Sequence, residues 1–262
     1  MTFYACGDPL WQRIPHGFST RLGGVSPAPW DSLNLGASRG DDSTNVAENF
    51  RRFRAAIGAP DGPLAKNHQV HGTLVRSVTA ADGERPESIP TVDADRLVTD
   101  VPGLTLTVFS ADCLPILFYD PVRGCIAAVH AGWRGTAAGI AAEAVRAMTE
   151  RYGCEVTNIR AAIGPGISKC CFETTEDVPA ALLEHLGQQA HACITDHRNG
   201  KFHVDLKLAN VLWLQSAGLK HDQISVCAAC TACDRTEFWS HRLVGKVRGS
   251  MAAMICLPGR EP

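Results

Sequence analysis

Three segments of the sequence place a metal-ligating side chain at the end of an apolar stretch. The segments NHQVHG, SADCLP and VHAGW supply His71, Cys113 and His130. Two imidazoles and one thiolate form a donor set that suits zinc. Three protein ligands leave one tetrahedral position open, as in catalytic zinc sites, whereas structural sites are usually closed by a fourth ligand. These residue types predict a catalytic metal centre, provided that the fold brings them together.

Taken singly, each of these residues also fits a structural role. A histidine near a strand end commonly makes a structural hydrogen bond, and a lone cysteine usually packs in the core as a small apolar side chain. Because the three residues are far apart in the sequence, their spacing alone does not identify a ligand set.

The elements that must position these residues follow from the hydropathy pattern. Apolar runs at 104–109, 114–119 and 125–129 predict buried strands, with the turn DPVRG before the last of them. An Ala-rich amphipathic helix is predicted directly after HAGWRG, through Ile140 and Met148.

Two further helices are indicated by capping residues and apolar spacing. One covers Ser43 to Ile57, and the other begins after the N-cap Asp205 and stops at Gly218. Strands and helices do not alternate regularly, so we expect an α+β or layered α/β fold with a mixed, partly antiparallel sheet flanked by helices. One catalytic domain over residues 1–262 is the simplest organisation, because no repeat or long linker interrupts the chain.

The composition limits the kinds of binding partner and the cellular compartment that we expect for this protein. The net charge is -2, which gives no electrostatic reason to expect nucleic acid as a partner, and no apolar run has the length of a membrane span. The first residues, MTFYACGDPLWQR, lack the basic and apolar regions of a secretory signal. Eleven cysteines, an odd number, fit thiols in a reducing compartment better than a disulfide framework. We therefore expect a cytoplasmic protein, and nothing in the sequence indicates a protein partner.

The strings NHQVHG, SADCLPILF, AAVHAGWRGTAAGI, IGPGISKCCFE and FWSHR resemble one family over almost the whole chain, from about residue 18 onward. It is the family long named multicopper polyphenol oxidoreductase, or laccase, and now described as purine nucleoside phosphorylases. The resemblance implies a layered α/β fold and zinc bound by His71, Cys113 and His130. It also implies phosphorolysis of adenosine, inosine, guanosine and methylthioadenosine, together with deamination of adenosine.

Further site residues are predicted for a nucleoside and phosphate as small-molecule substrates. The loop His130 to Gly135 enters a predicted helix, so backbone N–H groups from Gly132 onward and the guanidinium of Arg134 could bind phosphate. The motifs STRLGG and SLNLG match the family and suggest substrate contacts, and a loop amide could contact the base; the residues concerned are Arg21, Asn34 and Gln69.

The sequence gives weaker indications of the general acid or base and of the residues that orient the metal ligands. Glu173, in CCFE, is a candidate proton carrier, and Asp112 could orient a neighbouring ligand. For both residues, and for the predicted substrate contacts, a structural hydrogen bond or a surface ion pair is the alternative interpretation.

Other readings of the same residues remain open at this point. A copper-dependent phenol oxidase would follow the older family name, with copper in place of zinc, but none of the 10 histidines forms the His-x-His pair typical of multicopper oxidases. An amidase-type hydrolase that edits peptidoglycan precursors could use zinc, or Cys113 as a free nucleophile. A non-enzymatic zinc-stabilised binding module would need a fourth ligand, for which His68 is the nearest candidate.

Several remaining features have no assigned role. The run from Cys227 through Cys230 to Cys233 begins like an iron–sulfur motif, but a bacterial ferredoxin would have a further cysteine and a proline where this chain has Glu237 and Phe238. The neighbours Cys170 and Cys171 are expected to be a buried pair. The family often continues FSYRRDGxTGR after its last motif, whereas this chain has HRLVGKVRG, so the resemblance does not define what this segment, including His241, contributes.

Overall fold

The computed structural model describes residues 1–196 and 198–259, in which the chain forms fourteen strands and six α-helices. The strands are β1 (Phe3–Tyr4), β2 (His16–Ser19), β3 (Leu64–Ala65), β4 (Val75–Ser77), β5 (Arg96–Thr99), β6 (Thr105–Ser110), β7 (Leu114–Asp120), β8 (Cys125–Ala131), β9 (Arg160–Ile163), β10 (Glu173–Thr174), β11 (Ile194–Asp196), β12 (Phe202–Val204), β13 (Ile224–Val226) and β14 (Met251–Cys256). The helices are α1 (Ser43–Ile57), α2 (Trp133–Ala137), α3 (Ile140–Tyr152), α4 (Asp177–Leu186), α5 (Leu206–Ser216) and α6 (His241–Val244).

The strands form three sheets of mixed direction. The six-stranded sheet has the order β13-β9-β7-β8-β5-β4, and its outer pairs are parallel while its central pairs are antiparallel. The five-stranded sheet has the order β1-β2-β14-β6-β3, with only β3 and β6 parallel. A three-stranded sheet, β10-β12-β11, is antiparallel. The mixed α/β architecture predicted from the sequence is confirmed.

The two large sheets stack, because their strands are apolar on both faces. Successive side chains of a strand point to opposite faces. In β8, Ala127 and Val129 pack with helices α3, α4 and α5, whereas Ile126 and Ala128 pack towards the five-stranded sheet. In β14, alternate residues pack towards the six-stranded sheet and towards α1. The layers therefore run from α1 through two sheets to the remaining long helices.

Helix α1 has the bounds expected from the sequence, and its ends show why. The carboxylate of Asp42 accepts a hydrogen bond from the backbone N–H of Thr44, which caps the N-terminus. The apolar positions at helical spacing are buried against the five-stranded sheet, Phe50 and Phe53 completely. The N-cap predicted for α5 is also confirmed, since Asp205 accepts a hydrogen bond from the N–H of Leu208.

The helix predicted directly after HAGWRG begins earlier, at Trp133, and is divided in two. Gly139 adopts a left-handed conformation with φ of 77° between α2 and α3. Its backbone is packed against the Trp213 indole, where an added Cβ would lie 3.3 Å from the ring. The short α2 therefore forms a separate turn of helix beside the strand that carries His130.

None of the helices in the described ranges combines the length and the apolar character that crossing a bilayer would require.

Candidate metal centre

The three predicted metal ligands meet at the seam between the two large sheets. His71 lies on the connection from β3 to β4, Cys113 lies between β6 and β7, and His130 lies near the end of β8. Both connections cross from the five-stranded to the six-stranded sheet. Ligand atoms of all three residues lie within 4.8 Å of one another, and the two imidazole rings are 4.9 Å apart between centroids. The fold thus places two nitrogens and one sulfur around one point.

A buried carboxylate holds two of these residues in place. Asp95 lies directly before β5 and is completely buried, and its Oδ1 accepts hydrogen bonds from His130 Nδ1 at 2.9 Å and from the backbone N–H of His71 at 3.0 Å. Its Oδ2 accepts from the N–H of Gly72 at 2.7 Å. Because Nδ1 of His130 is engaged, Nε2 is the nitrogen left for a metal, which is the usual arrangement of carboxylate, histidine and zinc.

Sequence reasoning missed Asp95. The signal present in the sequence is an aspartate, in Asp93-Ala94-Asp95, directly before a strand of four buried residues. An ionised side chain at that position needs a partner, but the sequence does not show that the partner is a histidine from β8.

The backbone is constrained beside two of the ligands. His71 has φ of 62° and Asp112 has φ of 91°, a region that residues with a side chain seldom adopt. Asp112 is held there by three hydrogen bonds to its carboxylate, from Thr231 Oγ1 (2.7 Å), Ser240 Oγ (3.1 Å) and the N–H of Arg242 (2.7 Å). Asp112 therefore fixes the loop that carries Cys113, rather than bonding to the side chain of a ligand. Such strained conformations cluster at functional sites.

Gly132 allows the ligands to approach the backbone after β8. A Cβ at this position would lie 2.8 Å from His71 Cδ2 and 3.5 Å from Cys113 Sγ. The first distance is shorter than a carbon–carbon contact allows, so a side chain here would displace the imidazole.

The site is electrostatically coupled. Burial would raise the pKa of the Cys113 thiol, but His130 and His71 outweigh burial and lower that pKa to about 6. Burial would lower the pKa of His130, but Cys113 and Asp95 raise it to about 9. Burial also acts to raise the pKa of Asp95, yet the hydrogen bond from His130 and those from the backbone lower it. A readily formed thiolate is the state in which cysteine binds a metal.

These residues fit a metal ion with an open coordination position. In the described part of the chain the group consists of three donors, and no fourth His, Cys, Asp or Glu joins it. His68, the candidate for a closing ligand, points elsewhere: its Nδ1 lies 2.8 Å from Asp93 Oδ1, and both side chains are exposed.

The three donors line a cavity of about 770 Å³, a size suited to a small organic substrate. Among the described residues its basic side chains outnumber its acidic ones: five arginines and lysines line it against one carboxylate, that of Asp112. Its apolar side chains provide flat surfaces for an aromatic ring. The basic residues are Arg39, Arg134, Arg242, Lys246 and Arg248, and the larger apolar ones are Phe109, Trp133, Ile167, Phe172 and Leu206.

The atypical C-terminal segment contributes much of this lining. His241, Arg242, Lys246 and Arg248 all come from it. Arg248 is buried, and although burial lowers its pKa to about 10, it remains charged at neutral pH. The departure from the family pattern therefore falls on residues that line the cavity.

Two of the residues predicted to bind substrate line the cavity. Arg134 is exposed and stacks on the Trp133 ring at 4.2 Å. Gln69 lines the cavity too, but its amide is bonded to the backbone of Phe109, donating to the carbonyl at 2.8 Å and accepting from the N–H at 2.6 Å.

Arg21, Asn34 and Glu173 are not among the cavity-lining residues of the described ranges. The guanidinium of Arg21 donates hydrogen bonds to Asp31 and stacks on an indole, and the side-chain oxygen of Asn34 accepts a hydrogen bond from the backbone N–H of Gly36. Glu173 begins β10 and is exposed, with its Oε2 4.0 Å from His203 Nε2. The structure gives these residues structural contacts, and their predicted roles in binding or catalysis stay predictions.

The expectation of a buried Cys170–Cys171 pair is wrong. Cys170 is exposed and Cys171 is partly exposed, because they lie on a surface turn before β10. They are drawn together with Cys230 and Cys233, and sulfur atoms of the four residues lie within 4.8 Å of one another. Cys227 is outside this group.

Comparison with known proteins agrees with this architecture. A family model described as multi-copper polyphenol oxidoreductase laccase matches residues 15–258. The chain is 36% identical over 259 residues to purine nucleoside phosphorylase YlmD of Geobacillus stearothermophilus, covering 98% of this chain and 93% of that protein. It is 38% identical over 249 residues to a purine nucleoside phosphorylase of Deinococcus radiodurans, covering 95% and 91%.

Solved structures show the same fold. The crystal structure of YlmD from Geobacillus stearothermophilus superposes with a TM-score of 0.93 at 35% identity, covering 99% of this chain and 97% of that one. A Bacillus licheniformis protein, YfiH, gives 0.92 at 33% identity, covering 98% and 96%. The chain therefore belongs to the multi-copper polyphenol oxidoreductase laccase family, in which relatives of similar length are named purine nucleoside phosphorylases.

Proposed function

We propose that the protein is a zinc-dependent purine nucleoside phosphorylase that also deaminates adenosine. The observation that carries this proposal is the arrangement of the cavity, in which an open His71–Cys113–His130 donor set shares one space with five basic and several aromatic or aliphatic side chains. The names of the similar proteins support the same reaction.

Zinc is the ion that best suits the donors. Imidazole nitrogen and thiolate sulfur match its borderline softness, and three protein ligands are the usual number in its catalytic sites. Bound there, the ion would act as a Lewis acid and lower the pKa of a bound water to about 7.

The basic side chains can bind phosphate, the second substrate of phosphorolysis. Phosphate has to meet C1 of the ribose while the purine departs, so its charge must be neutralised and its position fixed. Arg134 and Arg242 can supply planar paired donors, and Lys246 supplies a point charge. Arg248 adds a buried charge to the same lining. Since the charges lie on several elements, they can hold the anion from more than one side.

The apolar side chains of the lining can bind the nucleoside. Phe109 and Phe172 offer ring surfaces against which a purine can pack. His241 lies in the same lining and carries an imidazole that could donate a proton to the departing base. For deamination, the same pocket would hold the amino-bearing carbon of the purine beside the donor set.

The direct test is product analysis with zinc-loaded protein. Adenosine with phosphate should give adenine and ribose 1-phosphate, and adenosine without phosphate should give inosine. His71→Ala and His130→Ala should abolish both reactions, whereas His185→Ala, which removes an exposed histidine on α4, should leave them intact. If fully zinc-loaded wild-type protein releases no base from a panel of purine nucleosides, the proposal is wrong.

The alternative of a copper-dependent phenol oxidase is supported by the family description. Two histidines and a cysteine also occur in blue-copper sites, which add a distant axial methionine in most cases. No methionine is among the cavity-lining residues in the described part of the chain. Phenol oxidation by copper-loaded protein, at a rate that exceeds nucleoside turnover by the zinc form, would favour this alternative.

Metal analysis distinguishes a metal-free amidase from the proposed zinc enzyme. Cys113 as a nucleophile would require a free thiolate beside His130, whereas a bound ion would protect the sulfur from alkylation. For the location of the protein we propose the cytoplasm, because none of the 11 cysteines, all of which lie in the described ranges, is paired in a disulfide, as expected in a reducing compartment.

A further inference from the structure

We infer that Cys170, Cys171, Cys230 and Cys233 form a second metal site, which binds one zinc ion through four thiolates and has a structural role. The inference does not depend on the proposed catalytic function, because none of the four residues belongs to the His71–Cys113–His130 set.

The spacing of the sulfurs matches a single tetrahedral ion. Cys233 Sγ lies 3.5 Å from Cys170 Sγ and 3.4 Å from Cys171 Sγ, and sulfur atoms of all four residues lie within 4.8 Å of one another. Four sulfurs at the usual zinc–sulfur distance of about 2.3 Å would be about 3.8 Å apart at the corners of a tetrahedron. Small adjustments of side-chain torsions would therefore suffice to bind the ion.

The backbone around Cys230 is shaped for a thiolate. The residues Cys230 to Cys233 form a tight turn in which the N–H of Cys233 bonds to the carbonyl of Cys230 at 3.1 Å. The N–H of Ser168, from the other side of the cluster, donates to Cys230 Sγ at 3.3 Å. Donors aimed at one sulfur stabilise its negative charge. A two-residue spacing between ligands is the common one in structural zinc sites.

Positive groups adjoin the cluster and would offset its charge. Four thiolates around a divalent zinc ion carry a net charge of -2. Lys207 is buried, and its ammonium donates to the carbonyls of Cys227 at 2.8 Å and Ala229 at 2.7 Å, on the segment leading into the turn. The guanidinium of Arg242 donates to the carbonyls of Cys171 at 3.5 Å and Glu173 at 2.8 Å. A buried ammonium bonded to neutral carbonyls is well accommodated beside an anionic centre.

The arrangement fits an ion better than a disulfide. Cys233 is almost equidistant from Cys170 and Cys171, so no one pair is singled out for a covalent bond. Four sulfurs that share one centre are what metal coordination produces. An iron–sulfur cubane would need its cysteines farther apart, because each cysteine binds a different iron of the cluster.

The ion would join two loops that form the catalytic cavity. One loop follows β9 and places Ile167 and Phe172 in the lining, and the other follows β13 and carries Thr231, which bonds to Asp112. The N–H of Ile167 also bonds to the carbonyl of Asp112 at 2.8 Å. Through these contacts the second site would hold the loop that presents Cys113.

The test uses the full chain with the catalytic donors removed. His71→Ala/His130→Ala protein should retain about one zinc per chain by mass spectrometry of the metal, and Cys171→Ser/Cys233→Ser introduced into that background should remove it. Cys227→Ser is the matched control, since it changes a neighbouring cysteine outside the cluster and should leave the zinc bound. Cobalt loading of the same background should give the intense sulfur-to-metal absorption of a four-thiolate site.

A second measurement covers variants that fail to fold. In wild-type protein, maleimide labelling followed by peptide mapping should find Cys170, Cys171 and Cys233 protected until a strong chelator is added. The inference is overturned if the folded His71→Ala/His130→Ala protein binds neither zinc nor cobalt, if these cysteines label equally fast before and after chelation, or if they are found as a disulfide or with an iron–sulfur cluster.

Discussion

Replacing Asp95 by asparagine should weaken metal binding without removing a metal ligand. The substitution keeps the shape of the side chain and an oxygen that can accept from His130 Nδ1. It replaces the other oxygen by an NH2 group, which would face the N–H of Gly72 where the carboxylate now accepts a 2.7 Å hydrogen bond. Asp95 is fully buried, so water cannot replace the lost acceptor.

The expected effect is a 10- to 100-fold loss of zinc affinity, the range for changes to groups that orient metal ligands, equivalent to about 1.4 to 2.8 kcal/mol. Two causes contribute: the negative charge that makes His130 a better donor is lost, and the N–H of Gly72 loses the acceptor that holds the backbone directly after His71. The unpaired N–H of Gly72 should also lower the free energy of unfolding by about 1 to 3 kcal/mol.

The assay is competition for zinc against a chromophoric chelator, with circular dichroism to establish that the variant is folded. Asp93→Asn is the matched control, because Asp93 lies two residues away but pairs with His68 on the exposed surface and should change neither quantity measurably. To exclude zinc bound at the second metal site, both substitutions are compared in a Cys171→Ser/Cys233→Ser background. An Asp95→Asn protein that is folded and binds zinc as tightly as the wild type would refute the assigned role of Asp95.

Three further outcomes follow from the site. Gly132→Ala should displace the His71 imidazole and reduce zinc affinity at least about 10-fold. Gly7→Ala is the control and should leave the affinity unchanged, because its added Cβ meets nothing within 4 Å. The same zinc competition assay measures both. In metal-free protein the rate of Cys113 alkylation should rise as pH increases through about 6, and not near the ordinary thiol pKa of about 8.5, because the thiolate forms above its lowered pKa. A midpoint above about 8, measured by peptide mapping, would contradict the coupling of this thiol to the two histidines. Arg134→Gln should raise the KM for phosphate about 10-fold with a smaller change in kcat, since it removes one charge-assisted contact; phosphate titration of the phosphorolysis rate tests this.

The parts of the molecule that sequence predicts well are those whose causes are local. The capping residue and apolar spacing of 43–57 determine the bounds of α1, and the run of apolar residues at 114–119 is sufficient for a central strand because both its faces are buried. The structure places ligand atoms of His71, Cys113 and His130 within 4.8 Å of one another. The residues alone left structural roles open, and the resemblance to a family was needed to choose metal binding over them.

The parts that sequence does not predict depend on contacts across the fold. Asp95 acquires its role from His130, which lies on a neighbouring antiparallel strand. The partners of Cys233 are more than 60 residues away, at Cys170 and Cys171, so the incomplete spacing of the C-terminal cysteine run gave no indication of a four-sulfur group. The break at Gly139 was missed because the apolar periodicity continues through it, while the close approach of Trp213 is a tertiary contact.

The position of the donor set at the seam of two sheets has a consequence for the order of assembly. His71 and Cys113 lie on connections that cross between the sheets, so their side chains converge only after both sheets have formed and stacked. An ion cannot gather these donors from an extended chain at an early stage. We therefore expect loading to follow folding, so that the rate of metal uptake during refolding measures the last step in the maturation of the chain.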